Sequence, residues 1–158
     1  MPKQSTDLKE PISRFLSEHH FLPISVKNKE WTSLDIVHPS KEPTKEQVKD
    51  YRKWIHEKVP NEGGIYAYLD SKTSLLYFGK AMSLCDRIYS HYRVSFRKMS
   101  GDKKGIWHKF FSANHGQLTV LWRKLATDRQ RIMIEEMVEE VNQSQFDKLY
   151  PRRHRNSK

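Results

Sequence analysis

Two phenols, a guanidinium, an imidazole and a carboxylate in this sequence are spaced so that a fold could bring them together: Tyr66, Tyr77, Arg87, His91 and Glu135. A phenol exchanges a proton with water once nearby cations pull its pKa down from about 10. An imidazole does so near 6.5. A guanidinium clamps phosphate or carboxylate with a planar fork of donors, and a single carboxylate suffices to hold a hard divalent cation whose other ligands are water and substrate oxygens. Arg87 and His91 stand four residues apart, which on a helix stacks them on one face.

The elements that must position these groups are legible around them. Ile65–Leu69 and Leu75–Phe78 read as two short strands, with residues Asp70 to Thr73 as the loop of a hairpin. That loop sets Leu69 opposite Ser74 and Tyr66 opposite Tyr77, which puts both phenols on one face. Taken alone, such a pair is an ordinary cross-strand aromatic contact. Gly64 and Gly79 flank it, and glycine at a strand end lets another backbone or a ligand come close. Ser83 with Asp86 opens a helix from Leu84 to Phe96 that carries Arg87 and His91. Near the end of the chain, Thr127 with Gln130 caps a helix running to about Val141. Its buried stripe is Ile134, Met137, Val138 and Val141. At about 100° per residue, Glu135 borders that stripe and Glu136 points away from it. By composition alone, the acids between Glu135 and Glu140 would all be solvated.

The remaining pattern completes an α+β fold. Residues 1–60 form an N-terminal helical extension, with one helix around Ile12, Phe15 and Leu16. A second helix is capped by Thr44 and Gln47, carries Val48, Tyr51, Ile55 and Val59 at helical spacing, and stops at Pro60. Ile106 to Phe111 suggests a short helix, and Leu118 to Trp122 a third strand. The expected architecture is a small three-stranded antiparallel sheet flanked by helices over residues 61–151, followed by a basic tail at 152–158.

Taken together, these residues resemble the GIY-YIG nuclease family. The match runs Gly64-Ile65-Tyr66, Tyr77-Phe78-Gly79, Lys80-Ala81-Met82-Ser83-Leu84, Arg87-Ile88, His91, and Ile132-Met133-Ile134-Glu135. Phe78 replaces the usual Ile or Val. The asparagine that often follows a proline near the domain's end has no clear counterpart, because Pro151 precedes Arg152-Arg153-His154-Arg155 and Asn156 comes late. The resemblance implies an endonuclease that hydrolyses phosphodiester bonds in DNA with Mg²⁺ or Mn²⁺. Tyr66 would be the general base, Tyr77, Lys80, Arg87 and His91 would complete the catalytic set, and Glu135 would be the metal ligand. Lowering a phenol from 10 to 7 takes about 4 kcal/mol, which Lys80, Arg87 and the metal would have to supply.

Charge and composition agree with that partner. Lys and Arg number 29 against 19 acids, a net +10, which favours polyanions. Arg93, Arg97, Lys98, Lys103 and Lys104 continue the catalytic helix as a basic run for nucleic acid, most simply double-stranded DNA, with Tyr92 and Phe96 interleaved for base stacking or for the core. Cys85 is the only cysteine, so no internal disulfide can form. With no apolar run long enough to span a bilayer, a cytoplasmic protein without membrane contact is expected. A stand-alone restriction-like or repair-like enzyme fits the size, and homodimerisation is left open. The alternative is a non-catalytic nucleic-acid-binding module on the same fold, which needs the basic surface but neither Glu135 nor paired tyrosines. His19, His20, His38, His56, His108, His115 and His154 show no zinc spacing and are expected to be structural or exposed.

Overall fold

The computed structural model of the chain describes residues 7–70, 74–96 and 116–149, with side chains described as far as 142. In chain order it comprises α1 (Lys9–Glu18), β1 (Thr32–His38), α2 (Lys45–Lys58), β2 (Gly64–Leu69), β3 (Leu75–Ala81), α3 (Leu84–Phe96), β4 (Gly116–Lys124) and α4 (Asp128–Leu149). The strands form one antiparallel sheet in the order β1-β4-β2-β3.

The class is α+β as expected, but the sheet has four strands, and the N-terminal extension is not purely helical. Residues 32–38 supply an edge strand paired with β4 from Thr32↔Trp122 to His38↔Gly116. Its sequence, Thr-Ser-Leu-Asp-Ile-Val-His, hides it, because only Ile36 and His38 are buried. An edge strand with one wet face and a charged residue at its centre carries little hydrophobic alternation.

Helices cover both faces. On one side α2 and α3 pack over Ile36, Tyr66, Tyr68, Leu118, Val120 and Trp122, with Ile55, Leu84, Cys85 and Ile88 reaching down from the helices. On the other, α1 and α4 cover Ile65, Ala67, Leu69, Phe78 and Leu121 with Leu16, Ile134 and Val138; Phe21 and Trp31 join them. This double cover explains why every residue of β2 is buried. It also makes the extension part of both cores.

The β2–β3 register differs from expectation. Tyr66 faces Gly79, Tyr68 faces Tyr77, and an irregularity follows at Tyr68/Leu69 so that Leu69 faces Leu75. The shift is two residues at Tyr66, one full pleat period, so the tyrosines keep their face. Thr44 accepts from Gln47 N–H and Gln47 Oε1 accepts from Thr44 N–H, the capping box the sequence implies. Thr127 and Gln130 repeat it at α4, and α4 runs to Leu149, beyond the expected end.

Candidate active site

Glycine chemistry sets the floor of the site. A Cβ on Gly79 would stand 2.7 Å from Tyr77 Oη and 2.8 Å from Tyr66 Oη, closer than real Cβ contacts allow. The missing side chain on the edge strand is therefore the space into which both phenols converge. Gly64 serves a different neighbour, since a Cβ there would lie 2.4 Å from the Arg123 carbonyl oxygen. It lets β4 run alongside the start of β2.

The start of α3 is tied to that same corner. Leu84 N–H donates to Glu62 O at 3.0 Å and Cys85 N–H to Pro60 O at 3.3 Å, while Leu125 N–H donates to Gly63 O at 3.1 Å. Held there, α3 delivers His91 to the tyrosines. Tyr66 Oη and His91 Nε2 lie 2.6 Å apart, and Tyr66 and Tyr77 hydroxyls 3.4 Å apart. Tyr66 has one hydroxyl proton for two neighbours. At 2.6 Å the shorter contact is the stronger, and the His91 tautomer decides its direction.

The electrostatics favour neutral groups. Burial holds the Tyr66 phenol well above its ordinary pKa; Tyr77 and Tyr68 push it further and only Arg87 opposes them. Burial likewise raises Tyr77 to about 12, with Glu135 and Glu139 adding to the rise and the Tyr66 hydrogen bond and Arg87 countering it. Burial drives His91 down to about 3, helped by Arg87 and His38. A raised phenol beside a lowered imidazole leaves the proton on Tyr66. The depressed tyrosine pKa that the sequence reading required is therefore not a property of this cluster by itself. Arg87 is exposed and is the cation that acts on all three groups.

Glu135 arrives from the opposite face. α4 packs against edge strand β3, and Ile134 and Val138 anchor it in the far core. Glu135 borders that stripe, half-buried, while Glu136 is exposed, as helix geometry demands. The carboxylates of Glu135 and, one turn on, Glu139 reach the Tyr77 phenol electrostatically around the strand. Sequence reading passed over Glu139; its signal was the i+4 step from Glu135 along the stripe's border. Lys80 pairs with Ile65 across the hairpin and follows Phe78 on the same pleat face, so it points to the α4 side rather than toward Tyr66.

Other assignments change as well. Tyr92 is buried and stacks on Tyr51 with centroids 3.6 Å apart, so it belongs to the interior, and half-buried Phe96 packs edge-on against it. His38 is buried, and desolvation lowers it to about 4. Arg93 is exposed, lying 6.0 Å over the Tyr89 ring. Arg97, Lys98, Lys103 and Lys104, the short helix at 106–111 and Asn156 lie outside the described residues. Among the described residues no helix is long and apolar enough to cross a membrane.

No family model and no curated protein matches the chain. Among solved structures it is similar to two point mutants of the GIY-YIG N-terminal endonuclease domain of UvrC from Thermotoga maritima, each bound to the catalytic divalent cation. Identity is 16% and 18%, coverage 61% of this chain and 90% of that domain, and the TM-score 0.38 in both cases.

Proposed function

We propose that the chain is a divalent-metal-dependent endonuclease acting on double-stranded DNA. The observation that carries this reading is the Tyr66–His91 contact beside Tyr77, with Arg87 and the acids of α4 within electrostatic reach of the phenols. A purely structural aromatic cluster needs no guanidinium and no carboxylates beside its phenols.

Glu135, with Glu139 a turn away, offers the hard oxygen donors that Mg²⁺ or Mn²⁺ prefers, concentrated beside a phenol whose pKa they raise. When bound there, such a cation supplies positive charge against the phosphoryl oxygens and lowers the pKa of water. Arg87, exposed and directed at the same cluster, clamps the scissile phosphate. Tyr66 would take a proton from the attacking water once Arg87 and the bound cation offset its burial and its own proton has left to solvent. The imidazole of His91, kept neutral by burial, positions the Tyr66 oxygen across the 2.6 Å contact. Tyr77 orients the Tyr66 oxygen from the other side. Outside this cluster, Arg93 and the basic run from Arg97 to Lys104 hold the backbone, and Lys80 adds positive charge on the α4 side.

The test is supercoiled plasmid incubated with Mg²⁺ or with chelator. The wild type nicks only with metal, and Glu135→Gln loses at least about 100-fold of that activity. Equal nicking by both proteins removes Glu135 from the reaction. One observation favours the alternative of a binding module, namely that Tyr66 is only 1% exposed. Metal-independent DNA binding without nicking under any divalent cation would establish it.

A further inference from the structure

Outside the site just described, the seam between α2 and α3 gathers three ligand-type side chains. The ligand atoms of His56, Cys85 and Asp86 all lie within 4.8 Å of one another. They come from two elements: His56 from the last turn of α2, Cys85 and Asp86 from the first turn of α3. Cys85 is buried at 1% exposure and the other two are open to solvent.

The His56 ring is oriented as a metal-bound histidine would be. Its Nδ1 lies 2.8 Å from the Arg52 carbonyl oxygen and its Nε2 lies 2.9 Å from Asp86 Oδ1. Both neighbours are acceptors, and a neutral imidazole has one proton to give. One ring nitrogen therefore meets an oxygen lone pair with nothing between, unless a second proton or a metal ion fills the gap. Donation of Nδ1–H to a backbone carbonyl is the usual orientation of a metal-bound histidine, and it aims Nε2 at the ion. Here that direction is toward Asp86 and Cys85.

We infer that His56, Cys85 and Asp86 form a transition-metal site, with Zn²⁺ the best-matched ion, separate from the acidic catalytic site. Thiolate, imidazole and carboxylate are the three donor types zinc accepts, and three protein ligands plus water is its open form. Zinc bond lengths near 2.0 Å in tetrahedral geometry set nitrogen and oxygen about 3.3 Å apart, so the observed pair opens by a few tenths of an ångström. The thiolate discriminates against Mg²⁺, which takes oxygen ligands. Binding releases the thiol proton to solvent and, where the ring is charged, the Nε2 proton as well. Ser83 Oγ, 3.4 Å from Cys85 Sγ and donating to Asn61 Oδ1 at 2.7 Å, borders the site. A bound ion would clasp the end of α2 to the start of α3, the helix that carries Arg87 and His91.

The full chain, stripped with chelator and titrated with Co²⁺ as a spectroscopic probe and then Zn²⁺, tests this. One equivalent of Co²⁺ should give a thiolate-to-metal charge-transfer band that Zn²⁺ abolishes and excess Mg²⁺ does not. Cys85→Ser should lose the band, and Asp86→Asn, an exposed change that leaves the core intact, should weaken Zn²⁺ binding at least 10-fold. Glu135→Gln should bind Co²⁺ and Zn²⁺ at this site as the wild type does, which separates the inference from the proposed catalysis. Absence of a charge-transfer band in folded wild type, or unchanged Zn²⁺ affinity in both Cys85→Ser and Asp86→Asn, overturns it.

Discussion

Gly79 shows how much of the site hangs on one missing methyl. Its hydrogen leaves room for the Tyr66 and Tyr77 hydroxyls, and a Cβ would press on both at under 3 Å. In Gly79→Ala one phenol must swing away, and overpacking of this kind costs about 1–3 kcal/mol, roughly 3–10 °C of melting temperature for a domain of this size. Nicking should fall further than stability does, because the 2.6 Å Tyr66–His91 contact depends on the same space. An alanine variant that melts and nicks like the wild type would mean that the phenols are free to rearrange. The grouping at this scale was legible in the sequence: Tyr66, Tyr77 and His91 lie within hydrogen-bond reach of one another, and Arg87 acts on them electrostatically. The proton energetics were not. Burial raises both phenols, and burial is set by α3 and the neighbouring Tyr68, which no spacing rule gives.

At the scale of elements, local signals held wherever the chain's own chemistry closed them. α3 begins where its pattern says, and both capping boxes form as paired bonds. What failed was pairing between segments. The hairpin register depends on the irregularity at Tyr68/Leu69, a choice made by packing against β4 and α4, and β1 exists only because β4 offers it an edge. Lys80 was misdirected for the same reason, since its face follows from the pleat and not from its place after Gly79. The caps permit a separable test. Thr44→Ala removes the hydroxyl acceptor of α2 far from the tyrosines and should cost about 1 kcal/mol by chemical denaturation, with nicking unchanged at a temperature where the variant is folded. Loss of nicking there would tie α2 directly to the reaction.

Across the whole molecule two charge terms dominate. The net charge of +10 predicts that DNA affinity drops steeply between 50 and 200 mM salt, by on the order of 10-fold or more for each few phosphates contacted; a flat response in a filter-binding assay would remove backbone contacts from the interface. The second term is acid sensitivity. In the folded chain His38 titrates near 4 and His91 near 3, both lowered first by desolvation, whereas unfolded histidines titrate near 6.5. Between those values the unfolded chain binds more protons, so stability rises with pH through the window, is complete above 6.5 and is lost as pH falls below it. Each histidine removes roughly 2 kcal/mol by pH 5. Denaturation at pH 7 and pH 5 should show that loss, while the His38 and His91 ring resonances of the remaining folded protein stay those of neutral imidazoles. The consequence for function is specific. A folded site in which His91 stays neutral keeps its contact with Tyr66 at pH 5, so nicking and the folded fraction should decline together. A protein that remains fully folded at pH 5 but no longer nicks would show that His91, or another group of the site, takes up its proton in the native state.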